Sequence, residues 1–108
     1  MDLVESIYVL TKEFPKQEEY RLTSQMTRAA VSIPANIAEC HSRSTRKDYA
    51  HFVSIARGSA AELETLHMIA QRIGCAAPEE IASRIETTES VGRMLSVLRQ
   101  RLSSQPST

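Results

Sequence analysis

Glu62 and Glu64 are carboxylates close enough in sequence to be weighed for shared acid–base or metal chemistry, yet two residues apart on a helix they diverge by about 200°. They cannot share one proton or one ion. The three histidines, His41, His51 and His67, have no metal-type i, i+4 partner, and Cys40, His41 and His51 could meet only through folding. Cys40 and Cys75 form neither a C-x-x-C nor a zinc-type spacing. Both are expected as reduced thiols, with Cys40 serving as a small buried hydrophobe. Ser24, Ser32 and Ser59 lack the His and acid partners of a nucleophile motif. Gly58 sits inside a helical pattern without the flanking glycines or lysine of a phosphate loop, and the expected role for it is close approach of two helices near Pro34. No catalysis, metal or cofactor is expected.

Charge is the remaining chemistry. Thirteen bases balance thirteen acids, so the whole surface is not a footprint for nucleic acid. The distribution is blocked: residues 21–57 carry Arg21, Arg28, Arg43, Arg46, Lys47 and Arg57 against Glu39 and Asp48, whereas residues 58–90 carry six glutamates and two arginines. Such blocks pair helix with helix or subunit with subunit, and on a folded surface most form solvated or salt-bridged faces. Arg28, Arg43, Arg46, Lys47 and Arg57 are the candidate nucleic-acid or partner-binding residues.

The elements that must position these groups are helices. The chain has 108 residues, 42% hydrophobic and 5% aromatic, with no tryptophan and three glycines, which fits one small helical domain. No apolar run is long enough to span a bilayer and no signal-peptide pattern opens the chain, so a cytoplasmic protein is expected. Leu3, Ile7, Leu10 and Phe14 form a seam ending at Pro15. A second helix is expected from Glu19 or Tyr20 to His41, with Leu22, Met26, Ala29, Ile33, Ile37 and Cys40 on one face. Gln25, Arg28, Ser32, Asn36, Glu39 and Arg43 lie on the other. Pro34 interrupts that helix at a cost of about 3 kcal/mol in isolation, so packing must hold it. Asn36 and Ser59 are placed to satisfy backbone groups exposed by the proline, and Glu39 can pair with Arg43.

Thr45 with Asp48 resembles a capping box for a third helix, stopped at Gly74. Its stripe holds Tyr49, Phe52, Val53, Ala56, Ala60 and Leu63 and continues through Leu66, Ile69, Ala70 and Ile73. Pro78 opens a fourth helix, with Glu79 and Glu80 in its first turn. The seam there is Ile81, Ile85, Thr88, Val91 or Gly92, Leu95, Leu98 and Leu102. Residues 1–102 are expected as one all-α domain, an antiparallel up-down four-helix bundle, and residues 103–108 as a disordered tail. Ile55, Leu66, Ile69, Ile73, Val91, Met94 and Val97 exceed what one contact needs, which points to a homo-oligomer.

The strings Ser-Ile-Pro-Ala-Asn-Ile-Ala-Glu at residues 32–39 and Gly-Ser-Ala-Ala-Glu-Leu-Glu at residues 58–64 resemble the four-helix-bundle family of bacterial 23S rRNA intervening-sequence proteins. The likeness extends from the first helix to Met94 and Leu95. It implies a ring-like homopentamer and kinship with accessory proteins of diversity-generating retroelements, which bind a reverse transcriptase and nucleic acid through basic surfaces. Pro34, Asn36, Glu39, Gly58, Ser59, Glu62 and Glu64 match the family's structural motif. Cys40 stands where the family usually has glycine, and Ala60 where it often has leucine. Relatives tend to begin with a further helical turn or two containing tryptophan, so the first helix here is expected to be short. The resulting expectation is a non-enzymatic oligomer binding RNA or a nucleoprotein partner. The alternatives are a reverse-transcriptase accessory protein, or a protein–protein scaffold that never touches nucleic acid. With few aromatics, RNA contact would be to the backbone.

Overall fold

The computed structural model describes residues 2–42 and 45–104. Four α-helices carry the chain: α1 (Asp2–Thr11), α2 (Ser24–Ser42), α3 (Arg46–Ile73) and α4 (Pro78–Ser104). Among the described residues there is no strand. The helices form a helical bundle measuring 50 × 20 × 20 Å. α3 is the central element, packed on both α2 and α4, while α1 makes smaller contacts with α2 and α4.

α1 ends earlier than its seam. The Thr11 hydroxyl donates to the Ile7 carbonyl at 2.9 Å, and the Glu13 and Phe14 amides close tight turns on Leu10 and Thr11. Phe14 is nevertheless buried, so the seam continues through a turn instead of a helix. A 3₁₀ turn, Lys16–Glu18, then leads into a π-turn, Glu19–Thr23, before α2. Gln25 and Thr27 donate to the Arg21 and Thr23 carbonyls of that wider turn, at 2.7 and 2.9 Å.

Helix α2 is continuous through Pro34. Its hold on α3 is partly polar: Asn36 Nδ2 donates to the Ser32 carbonyl at 2.8 Å and to its hydroxyl at 3.0 Å, and the Ser59 hydroxyl reaches Ser32 Oγ at 2.7 Å. The group served is Ser32, not the Ala30 carbonyl that Pro34 leaves without its amide. Farther along, Cys40 Sγ lies 3.4 Å from the Tyr49 carbonyl. Both cysteines are free and buried, and burial pushes each thiol up from its ordinary value, with Glu18 adding to the effect at Cys75.

The boundaries of α3 and α4 follow local chemistry. Thr45 caps α3 by accepting from the Asp48 amide at 3.2 Å. Gly74 stops it in the left-handed region at φ 71°, where its amide reaches the Ala70 and Gln71 carbonyls. α4 opens at Pro78 with Glu79 and Glu80 in the first turn, and it runs through Ser104, two residues beyond the expected domain end. Residues 105–108, the rest of the expected tail, lie outside the described residues.

The core is Ile7, Leu10, Phe14, Leu22, Met26, Ala29, Ala30, Ile33, Val53, Ala56, Ala60, Leu63, Leu66, Ala70, Ile81 and Leu95 with the two cysteines. Ile69 and Ile73, placed on the continuing α3 stripe and also among the residues in excess of one contact, are exposed, whereas Leu66, counted in the same excess, is buried. Ile69 is turned about 120° and Ile73 about 80° round the helix from Leu63, away from the packed side that Ala70 shares with it. Gly58 also departs from expectation: a Cβ there would meet nothing within 4 Å, and the small-residue approach is at Gly92, where a Cβ would lie 4.0 Å from the Ala60 Cβ. Gly58→Ala should therefore raise the subunit's stability by about 1 kcal/mol through helix propensity. Urea unfolding measures it, and a loss of stability would show that Gly58 is packed after all.

Candidate nucleic-acid and partner interface

The four candidate cations among the described residues, Arg28, Arg46, Lys47 and Arg57, do not converge on one patch. Arg28 is exposed on α2 and lines a shallow depression with Tyr8, Ser24, Thr27 and Val31, on the side of α1. Arg57 is exposed on α3 and lines a groove against α4. Arg46 and Lys47 lie in the first turn of α3, half-buried and exposed respectively. The Ser32–Ser59 and Cys40–Tyr49 contacts fix the register of α2 on α3. That register places Arg28 and Arg46 roughly 25 Å apart along the bundle at 1.5 Å per residue. Arg43 lies outside the described residues, and so does its pairing with Glu39. The block divides here because Arg28 is on α2 whereas Arg46, Lys47 and Arg57 are on α3.

The motif residues play mixed parts. Pro34 is half-buried and lines an apolar groove of about 290 Å³ with Leu3, Val4, Ile33, Ile37 and Met94. Asn36 and Ser59 join α2 to α3 through Ser32, as described above. Glu39 and Glu62 are exposed, and Glu64 is half-buried on the α3–α4 groove.

That α3–α4 groove, of about 470 Å³, holds features the sequence did not flag. Arg57 Nε donates to Ser96 Oγ in the groove at 3.0 Å, and one turn beyond its lining, Arg99 Nε donates to Ser54 Oγ at 2.8 Å. Arg93 lines the same groove beside Gly92, with Glu64 and Glu89. The signal was the matching three-residue spacing of Ser54 with Arg57 and of Ser96 with Arg99, which becomes visible only once the α3–α4 register is known.

His67 was also passed over. It is 0% exposed on α3, four residues after Leu63, and neither ring nitrogen has a hydrogen-bond partner. Burial pushes its pKa down to about 4; the Leu63 carbonyl opposes this and the Arg84 guanidinium adds to it. Arg84 itself is held by Glu80 at 2.7 Å and by the Ser6 carbonyl at 3.4 Å, which ties α4 to α1. An unpartnered buried imidazole is kept neutral by desolvation.

Among the described residues no three His, Cys, Asp or Glu side chains gather as metal donors. No helix there is long and apolar enough to cross a membrane.

The fold is shared with a crystal structure, at 1.70 Å resolution, of a protein of unknown function from the S23 ribosomal protein family of Bacteroides thetaiotaomicron. The two align with a TM-score of 0.78 at 23% identity, over 91% of this chain and 88% of that one. A search of curated proteins finds no significant match. The model of the 23S rRNA-intervening sequence protein family matches residues 1–97, which takes in α1 to α3, the Pro34 and Gly58 strings and most of α4. By that match the chain belongs to the 23S rRNA-intervening sequence protein family.

Proposed function

We propose that this protein is a non-enzymatic, up-down antiparallel four-helix bundle that assembles into a ring-like homopentamer and binds RNA, alone or in a nucleoprotein, through its exposed cations. The contacts Ser32–Ser59, Cys40–Tyr49, Arg57–Ser96 and Ser54–Arg99 support the antiparallel order, since rising numbers on one helix meet falling numbers on the next. The observation that carries the reading is the mixed outer surface of α3 and α4. Ile55, Met68, Ile69 and Ile73 on α3, and Met94 and Val97 on α4, are exposed, with Met94 at 70%, and arginines stand among them. Apolar side chains left over after folding supply contacts between copies. Cations repeated around a ring then act together, so a few per subunit suffice for a polyanion.

The combined variant with Arg28, Arg43, Arg46, Lys47 and Arg57 all changed to Glu tests the reading. Light scattering should give the wild-type mass, and binding to a structured RNA should be lost. Unchanged binding would sink the basic-surface reading.

The apolar groove at Pro34 favours a second reading, a scaffold that holds a polypeptide. The reverse transcriptase of a diversity-generating retroelement is one such partner. Replacing Ile37 with Asp would then abolish partner capture while leaving RNA contact alone.

A further inference from the structure

We infer that the α3–α4 groove, and not the α2 face or the start of α3, is where an RNA phosphate backbone docks, on Arg57 and Arg93 of the groove and Arg99 one turn beyond its lining. The inference rests on the RNA-binding reading above and says which cations carry it.

Three observations support the assignment. First, Arg57 and Arg99 are each pinned through Nε to a serine on the opposite helix. For Arg57 this is its one hydrogen bond among the described residues, so the Nη1–Nη2 edge is held in a set orientation for two oxygens of one phosphate. The side-chain entropy of ordering that arginine is already spent in the free protein.

Second, the cations form a series. The Ser54–Arg99 level, the Arg57–Ser96 level and the Ala60–Gly92 level beside Arg93 follow one another at three-residue or four-residue steps, about 5 Å apart along the helices. A repeating polyanion uses such a series; a lone carboxylate uses one rung.

Third, the groove offers no platform on which a base could stack. No aromatic residue lines it, and Ala60, Ala61 and Gly92 keep its floor low. Contacts there are to phosphate and are tolerant of sequence. Glu64 and Glu89 stand at the far end, and among the described residues neither forms an ion pair with Arg57 or Arg93. Their charge disfavours phosphate at that end, which confines contact to the stretch from Arg93 toward Arg99. By contrast Arg28 sits alone with Tyr8, Ser24, Thr27 and Val31.

The test is anisotropy of a labelled structured RNA with the full chain over a salt series, comparing wild type with R57Q/R93Q and with R28Q/K47Q. Thermal unfolding verifies that each variant is folded, and Ser96→Ala probes the pin while keeping the charge. R57Q/R93Q should weaken binding at least tenfold near 0.1 M salt and lower the slope of log K against log salt by about 1.5. R28Q/K47Q should change it less than threefold, S96A should weaken it severalfold, and E64Q/E89Q should tighten it. If R57Q/R93Q binds as wild type while R28Q/K47Q fails, the groove assignment is overturned and RNA binding stands. If wild type binds no RNA at low salt, the RNA-binding reading falls and takes the groove with it. Equal binding of polyglutamate, lost in R57Q/R93Q, would also overturn the phosphate assignment, since the groove would then accept any acidic chain.

Discussion

Lowering the pH from 7 to 4 should remove about 3 kcal/mol of folding free energy through His67 alone. The side chain is 0% exposed with both ring nitrogens unpartnered, and its folded pKa is pushed down to about 4 from an ordinary 6.5. The sign follows from which state takes the proton. Above pH 6.5 the imidazole is neutral in both states and imposes no pH dependence. Between 6.5 and 4 the unfolded chain binds a proton that the folded chain refuses, so stability falls at about 1.4 kcal/mol per pH unit. Arg84, facing the ring from α4, strengthens the refusal, and Glu80 holds that guanidinium by 2.7 Å. Urea unfolding at several pH values, in wild type and His67→Leu, separates this residue from the rest of the chain. The leucine variant should lose that part of the slope, and its stability at pH 7 should match or exceed wild type, because two unsatisfied polar atoms leave the core. Identical slopes in the two proteins would contradict the assignment.

The second large effect is mechanical. Leu63 is 0% exposed in the middle of α3, the helix packed on both α2 and α4. Leu63→Ala should cost about 3 to 4 kcal/mol, the transfer of the lost methyl groups plus the cavity they leave. That is a large share of the roughly 5 to 15 kcal/mol typical of a domain. Met94→Ser, at 70% exposure, should leave subunit stability within about 0.5 kcal/mol. It should nonetheless lower the mass seen by light scattering, because Met94 is assigned to contacts between copies. A Met94 variant with wild-type mass and a Leu63 variant with wild-type stability would each contradict the roles given.

Where the fold was legible, the signal was local. Thr45, Gly74 and Pro78 mark helix ends by what their own backbone and side chains can do, and all three stand where expected. The π-turn before α2 has no comparable mark, since the same residues fit an ordinary helix as well. Stripe membership was legible for Leu63 and Ile81 but not for Ile69, because a three-residue step from Leu66 links it to the stripe although it sits about 120° round the helix from Leu63. His67 lay on the same stripe and was missed, because an imidazole there was weighed as a ligand and not as a core residue. Gly58 and Gly92 are alike in sequence, and only the α3–α4 packing tells which one faces a neighbour. The site was the least legible part. Arg57 was found from its charge block, whereas Arg93 and Arg99 join it only once α3 is packed on α4, through the shared groove for Arg93 and the Ser54 bond, 45 residues away, for Arg99.

The central claim is that this bundle holds RNA by phosphate contacts, and the most direct measurement is the affinity of the wild-type protein for a structured RNA between low and moderate salt, with polyglutamate as the control polymer. The account predicts binding that prefers RNA and weakens steeply and linearly on logarithmic axes as salt rises. No binding at the lowest salt, with the oligomer intact, would contradict it and leave a scaffold for a polypeptide partner.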